Sequence, residues 1–141
     1  MTLLLAVHLT LAAAYVGVQW TVRPLVYPQF AAVPTDAWRG FHDGHSRRIA
    51  RVVGPLFAGQ LLSTAWLLLD TPSGAPRAAA VAGAVCLGAV LAVTGLVAVP
   101  QHRRLGQAFD PTAYRRLLRA DSVRALAATG AVLAAGWLAL A

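Results

Sequence analysis

A chain of 141 residues holds one compact unit and no comfortable second domain. Its residues are 58% hydrophobic and only 12% charged, against about 25% charged in a typical soluble domain. This excludes disorder and a collagen-like repeat, a lone cysteine, Cys86, excludes a disulfide scaffold, and a soluble globule of this size has no way to hide so much apolar surface. All 12 basic residues are arginine and all 5 acidic residues are aspartate, a net charge of +7. In a soluble protein that balance would suggest nucleic acid. Here the arginines lie between apolar runs, so membrane topology and anionic lipid account for them and no nucleic acid partner is expected.

The first apolar run covers residues 3–22, long enough to cross the roughly 30 Å hydrocarbon layer. It has no basic leader and no cleavage site, so it reads as a span and not as a signal peptide. The second run covers 52–69 and is interrupted by Pro55 and Gln60. Asp70 to Arg77 is a connector rich in Pro, Ser and Gly, which makes a tight helical hairpin with the third run, 78–99. The fourth run, 125–141, begins beside Arg124, whose stem can snorkel to the interface. The expected fold is an all-α, up-down-up-down integral membrane four-helix bundle, with 1–141 as a single transmembrane domain.

Asp110-Pro111 is a good helix start, with Asp as N-cap and Pro in the first turn, so the fourth helix should begin well before its span. Thr35 and Asp36 suggest a similar early start for the second, weakened by Gly40 and Gly44. Eleven arginines flank these two extensions, in the segments 23–51 and 103–124, and only Arg77 lies in the other connector. The positive-inside rule then puts both long loops in the cytoplasm and both termini outside.

Candidate chemistry gathers at the arginine-rich end. In Phe41-His42-Asp43-Gly44-His45-Ser46-Arg47-Arg48 the two histidines are three apart, which on a helix places them on one face. His102, just past the third run behind Pro100, shares their depth. Three imidazoles there permit general acid and base work or ligation of copper, iron or zinc, with Asp43 or Asp121 as a carboxylate ligand or histidine partner. The competing readings are hydrated interfacial histidines and simple ion pairs, Asp43 with Arg47 and Asp121 with Arg124. Gln60 reads as a hydrogen-bonding link between helices or to backbone freed by Pro55, His8 lacks a partner histidine at matched depth for a bis-histidine haem, and Trp20, Tyr27, Trp38 and Tyr114 read as interfacial aromatics. The chain has no phosphate-binding glycine loop, no CxxC, no GxSxG and no carboxylate inside a span, which demotes nucleotide, redox-dithiol, hydrolase and proton-coupled transport functions.

The order of motifs, Val18-Gln-Trp-Thr-Val-Arg-Pro-Leu-Val-Tyr-Pro-Gln-Phe30, then Phe41-His-Asp-Gly-His45, Gly54-Pro55, Val99-Pro-Gln-His-Arg-Arg-Leu105 and Asp121-Ser-Val-Arg124, resembles the anthrone oxygenase-like family of small four-span membrane proteins. That resemblance implies a four-helix membrane bundle and, for the fungal namesakes, oxidation of a polyketide anthrone by O2 with no established cofactor. It matches His42, His45 and His102 to positions where histidine is common, whereas Gln60 stands where an acid is expected and Asp121 where Asn is. The expectation is a membrane-embedded oxygenase for a hydrophobic, phenolic substrate. His42 or His45 would be the base, and Arg47, Arg48 or Arg104 would stabilise the anion. Any metal would sit on His42, His45 and His102, with Asp43 or Asp121 as a further ligand. The alternative is a non-catalytic partner subunit or ligand binder with structural histidines, its Gly and Ala-rich third helix packed on another chain; a homo-oligomer fits either reading.

Overall fold

The computed structural model describes residues 2–141, and they form an all-α bundle of four long apolar helices. The first runs from Thr2 to Phe30 as α1 (Thr2–Thr21), a π-helical turn (Val22–Val26) and α2 (Tyr27–Phe30). The second is α3 (Trp38–Leu69). The third combines α4 (Arg77–Val93), a second π-helical turn (Thr94–Ala98) and α5 (Val99–Leu105), and the fourth is α6 (Pro111–Leu140). Each is long and apolar enough to cross a membrane, which makes this a multi-pass integral membrane protein.

All four helices outrun the apolar segments legible in the sequence. At about 1.5 Å per residue, the 32 residues of α3 exceed the hydrocarbon thickness. The fourth helix starts as expected: Asp110 accepts hydrogen bonds from the Thr112 and Ala113 amides at 2.7 and 3.2 Å, with Pro111 following it. The second starts at Trp38, later than Thr35 and Asp36 suggest, because the Asp36 carboxylate binds the adjacent Ala37 amide instead of capping a helix. Gly40, Gly44 and Pro55 are all carried within α3.

The two π-turns have a common build. Each is five residues long and is followed by a residue-Pro-Gln sequence, Tyr27-Pro28-Gln29 in one case and Val99-Pro100-Gln101 in the other. Proline lacks the amide hydrogen and crowds the carbonyl a turn earlier, and widening to π geometry is one way a helix absorbs that insult.

Around the bundle, α6 packs on α4 and α1, and α3 packs on α1 and α4. The core falls into three layers. Leu67, Ala79, Ala80 and Leu138 form one end, Tyr15, Val90 and Ala128 the middle, and Tyr27, Phe30, Trp38, Leu105 and Leu117 the other end. Of the small residues of α4, Gly83 is used inside the chain: it sits against Ala134 of α6, where an added Cβ would lie 3.6 Å from the Ala134 Cβ. Other small residues of that helix, among them Ala82, Gly88, Ala89 and Ala92, are exposed on its outer side. His8 is buried, its Nδ1 2.8 Å from Ser63 Oγ. Gln60 is buried, and its Nε2 has no hydrogen-bond partner.

Candidate functional site

The aromatic end layer holds the histidines in place. Trp38, in the first turn of α3, donates from Nε1 to the Leu105 carbonyl at 2.6 Å, satisfying a helix-end acceptor and pinning the start of α3 to the end of α5. One turn further, His42 meets His102: Nε2 of the first lies 3.2 Å from Nδ1 of the second, so one ring nitrogen donates and the other accepts. His45 follows on the same helical face, stacked on His102 with ring centroids 6.2 Å apart and 25° between planes. Phe30 closes the group edge-on, 5.0 Å from the His45 ring and 5.5 Å from Trp38. The three histidines expected at one depth do converge. The expected interfacial aromatics divide: Tyr27 and Trp38 are core residues, Tyr114 is half-buried, and only Trp20 is exposed.

Below this layer lies a cavity of about 350 Å³ between α1, α3, the second π-turn, α5 and α6. His45 and His102 line it, whereas His42 does not; His42 stands behind His102 and holds it. Most of the wall is apolar, including Val18, Val22, Ile49, Val53 and Phe57. Both π-turns reach the lining, through Val22 and through Thr94 and Ala98.

The polar remainder of the wall comes from residues that the sequence did not single out for chemistry. Arg124 Nη2 donates to Tyr27 Oη at 3.2 Å and to Asp121 Oδ1 at 2.8 Å, and Gln19 Nε2 donates to the same carboxylate oxygen. Gln19, Tyr27 and Arg124 line the cavity, as does Tyr15, whose hydroxyl is buried without a partner. Gln19 had a signal, being an amide in an apolar run. Arg124 and Tyr27 were masked by their positions at span ends, where snorkelling and interfacial anchoring are ordinary roles.

The expected anion-stabilising arginines are elsewhere. Arg47, Arg48 and Arg104 are exposed and do not line the cavity, and Arg48 folds back over Gly44, where an added Cβ would lie 3.2 Å from its Nη2. Asp43 is exposed and forms no ion pair with Arg47. Asp121 forms the expected i, i+3 ion pair with Arg124 and is fully buried. The physical reason is helical phase: residues 43 and 47 of α3 point away from the face that carries His42 and His45, and Arg48 lies at its edge.

The donors do not make a metal site. His42 and His102 spend facing nitrogens on each other, Asp121 is held by Gln19 and Arg124, and Asp43 is in the open. Among the described residues no group of three His, Cys, Asp or Glu is placed to hold a metal ion. What the arrangement offers is a base, hydrogen-bond donors and a guanidinium around an apolar chamber. Comparison with family models, with curated proteins and with solved structures finds no match.

Proposed function

We propose that the protein is a membrane-embedded oxygenase that binds a hydrophobic, aromatic polyketide-like molecule in this cavity and oxidises it with O2. The observation that carries the reading is the cavity itself, where two imidazoles, a guanidinium and a few further polar groups face largely apolar walls. Its volume of about 350 Å³ falls in the range of small-molecule sites. The resemblance to anthrone oxygenases supplies the reaction class and nothing in the site geometry depends on it.

In this reading the neutral imidazole of His45 or His102 takes a proton from the acidic methylene of a phenolic substrate. His42 keeps His102 oriented. Arg124, with Tyr27, stabilises the resulting enolate, replacing the exposed arginines in that role. The carbanion adds O2; loss of the second methylene proton and cleavage of the O–O bond leave a carbonyl and release one water. Both oxygen atoms and the four electrons transferred are thus accounted for without a further oxidant. The chain would cross the bilayer up-down-up-down with the arginine-rich loops in the cytoplasm and both termini outside, and the bilayer would deliver both substrate and O2.

A second reading, a non-catalytic ligand binder, is favoured by one feature: His42 and His102 bond to each other inside an aromatic layer, as structural histidines do. Oxygen uptake by detergent-purified protein with an anthrone separates the two. The oxygenase predicts that His45→Ala and His102→Ala each lose at least about a hundredfold in turnover while still eluting as folded protein. Wild-type protein that binds the anthrone without consuming O2 establishes the binder. Full turnover in both variants overturns the assigned base.

A further inference from the structure

A second concavity, independent of the cavity above, lies on the outer surface where the first π-turn and α2 meet α6. It measures about 290 Å³ and is lined by Arg23, Pro28, Tyr114, Leu118, Arg119 and Ser122. Arg23 Nη1 donates to Ser122 Oγ at 2.7 Å, and Ser122 in turn donates to the Leu118 carbonyl at 3.0 Å. The Arg23 guanidinium is therefore oriented by a hydroxyl and not by a carboxylate. Among the described residues the ion pair is Asp121 with Arg124, so neither Arg23 nor Arg119 has an acidic partner. Asp121, next in sequence to Ser122, is fully buried and turned inward to Gln19 and Arg124. Two guanidinium groups thus share one groove with no ion-paired carboxylate, an arrangement suited to a phosphate.

The surface leading away from the groove is apolar. On α6, residues 119, 122, 126 and 133 recur at helical spacing and lie along one face. Leu126 and Leu133 on that stripe are largely exposed, and Trp20 beside it is half-exposed, donating from Nε1 to Thr129 Oγ1 at 3.0 Å. A cationic head followed by a lipid-facing apolar strip matches an amphiphile, whereas a free phosphate uses only the head. We propose that the groove of Arg23, Arg119, Ser122 and Tyr114 binds the phosphodiester headgroup of one anionic phospholipid, whose acyl chains lie along the Leu126 and Leu133 face of α6.

Native mass spectrometry of the full chain in mild detergent tests this, with phosphatidylglycerol or phosphatidylcholine titrated in and bound lipids counted. Arg119 forms no ion pair and is exposed, so Arg119→Gln leaves the fold intact; Arg119→Lys keeps the charge, and Arg103→Gln removes an exposed arginine outside the groove. The first phosphatidylglycerol is expected to bind about fivefold more weakly to Arg119→Gln, and near normally to Arg119→Lys and Arg103→Gln. Phosphatidylcholine should bind the wild type more weakly than phosphatidylglycerol, and excess inorganic phosphate should not displace the lipid. An equal loss in Arg103→Gln, no preference for phosphatidylglycerol, or displacement by inorganic phosphate overturns the proposal.

Discussion

Asp121 is the residue on which the most depends. It is fully buried, accepts from Gln19 and Arg124 on one oxygen, and leaves Oδ2 without a partner. A buried ion pair adds little net stability, but removing one member strands the other charge, at a cost of about 3–5 kcal/mol. Asp121→Asn and Arg124→Gln should therefore each lower stability by about that amount, read from thermal unfolding in detergent. The double change Asp121→Asn with Arg124→Gln should cost much less than the two single changes together; simple additivity would mean the residues act independently. The pairing was legible in the sequence because it is local, three residues apart on one helix. Gln19 as third partner was not, since 102 residues separate it from Asp121 and only the packing of α1 on α6 unites them.

At the level of elements, the start of α6 was readable for a similar reason. An N-cap needs only its own next few residues, and Asp110 finds the Thr112 and Ala113 amides as its sequence says it should. Those amide hydrogen bonds, from Ala113 first and then Thr112, hold the Asp110 carboxyl below the usual aspartate range. A carboxyl with a depressed folded-state pKa stabilises the fold above its unfolded pKa, and that contribution is lost as pH falls through the folded value. Amide-exchange protection of Thr112 and Ala113, corrected for intrinsic rates, should accordingly decline on acidification below the ordinary aspartate pKa. Asp110→Asn should flatten that dependence while keeping an acceptor at the cap; an unchanged pH profile would remove the carboxylate from the cap. The π-turns were not readable. Pro24, Pro28 and Pro100 announce that helical hydrogen bonding must be broken, but not how the freed carbonyls are re-paired.

Across the whole molecule, hydropathy gave four helices and one layer of histidines because burial in lipid and depth along a helix are written in runs of residues. Which side of a helix faces the cavity is written in tertiary packing, which is why Arg47, Arg48 and Arg104 stand outside the lining and Arg124 within it. Close packing between α4 and α6 also leaves a testable mark. A Cβ added to Gly130 would lie 2.8 Å from Cys86 Sγ, so Gly130→Ala should lower the melting temperature, overpacking costing about 1–3 kcal/mol. In a Cys86→Ala background the same change should raise it, because alanine is favoured over glycine in a helix by about 1 kcal/mol. The first π-turn has a consequence of another kind. Buried positions on α1 recur every three or four residues, at 8, 12, 15, 19 and 22, and then skip five to Tyr27 before resuming at Phe30. One residue corresponds to about 100° of rotation around a helix, so the turn works as a phase shifter that dials Tyr27 and Phe30 back onto the bundle axis. The number of residues between Gln19 and Tyr27 is therefore itself part of the site, as binding on its geometry as the identity of any side chain that lines it.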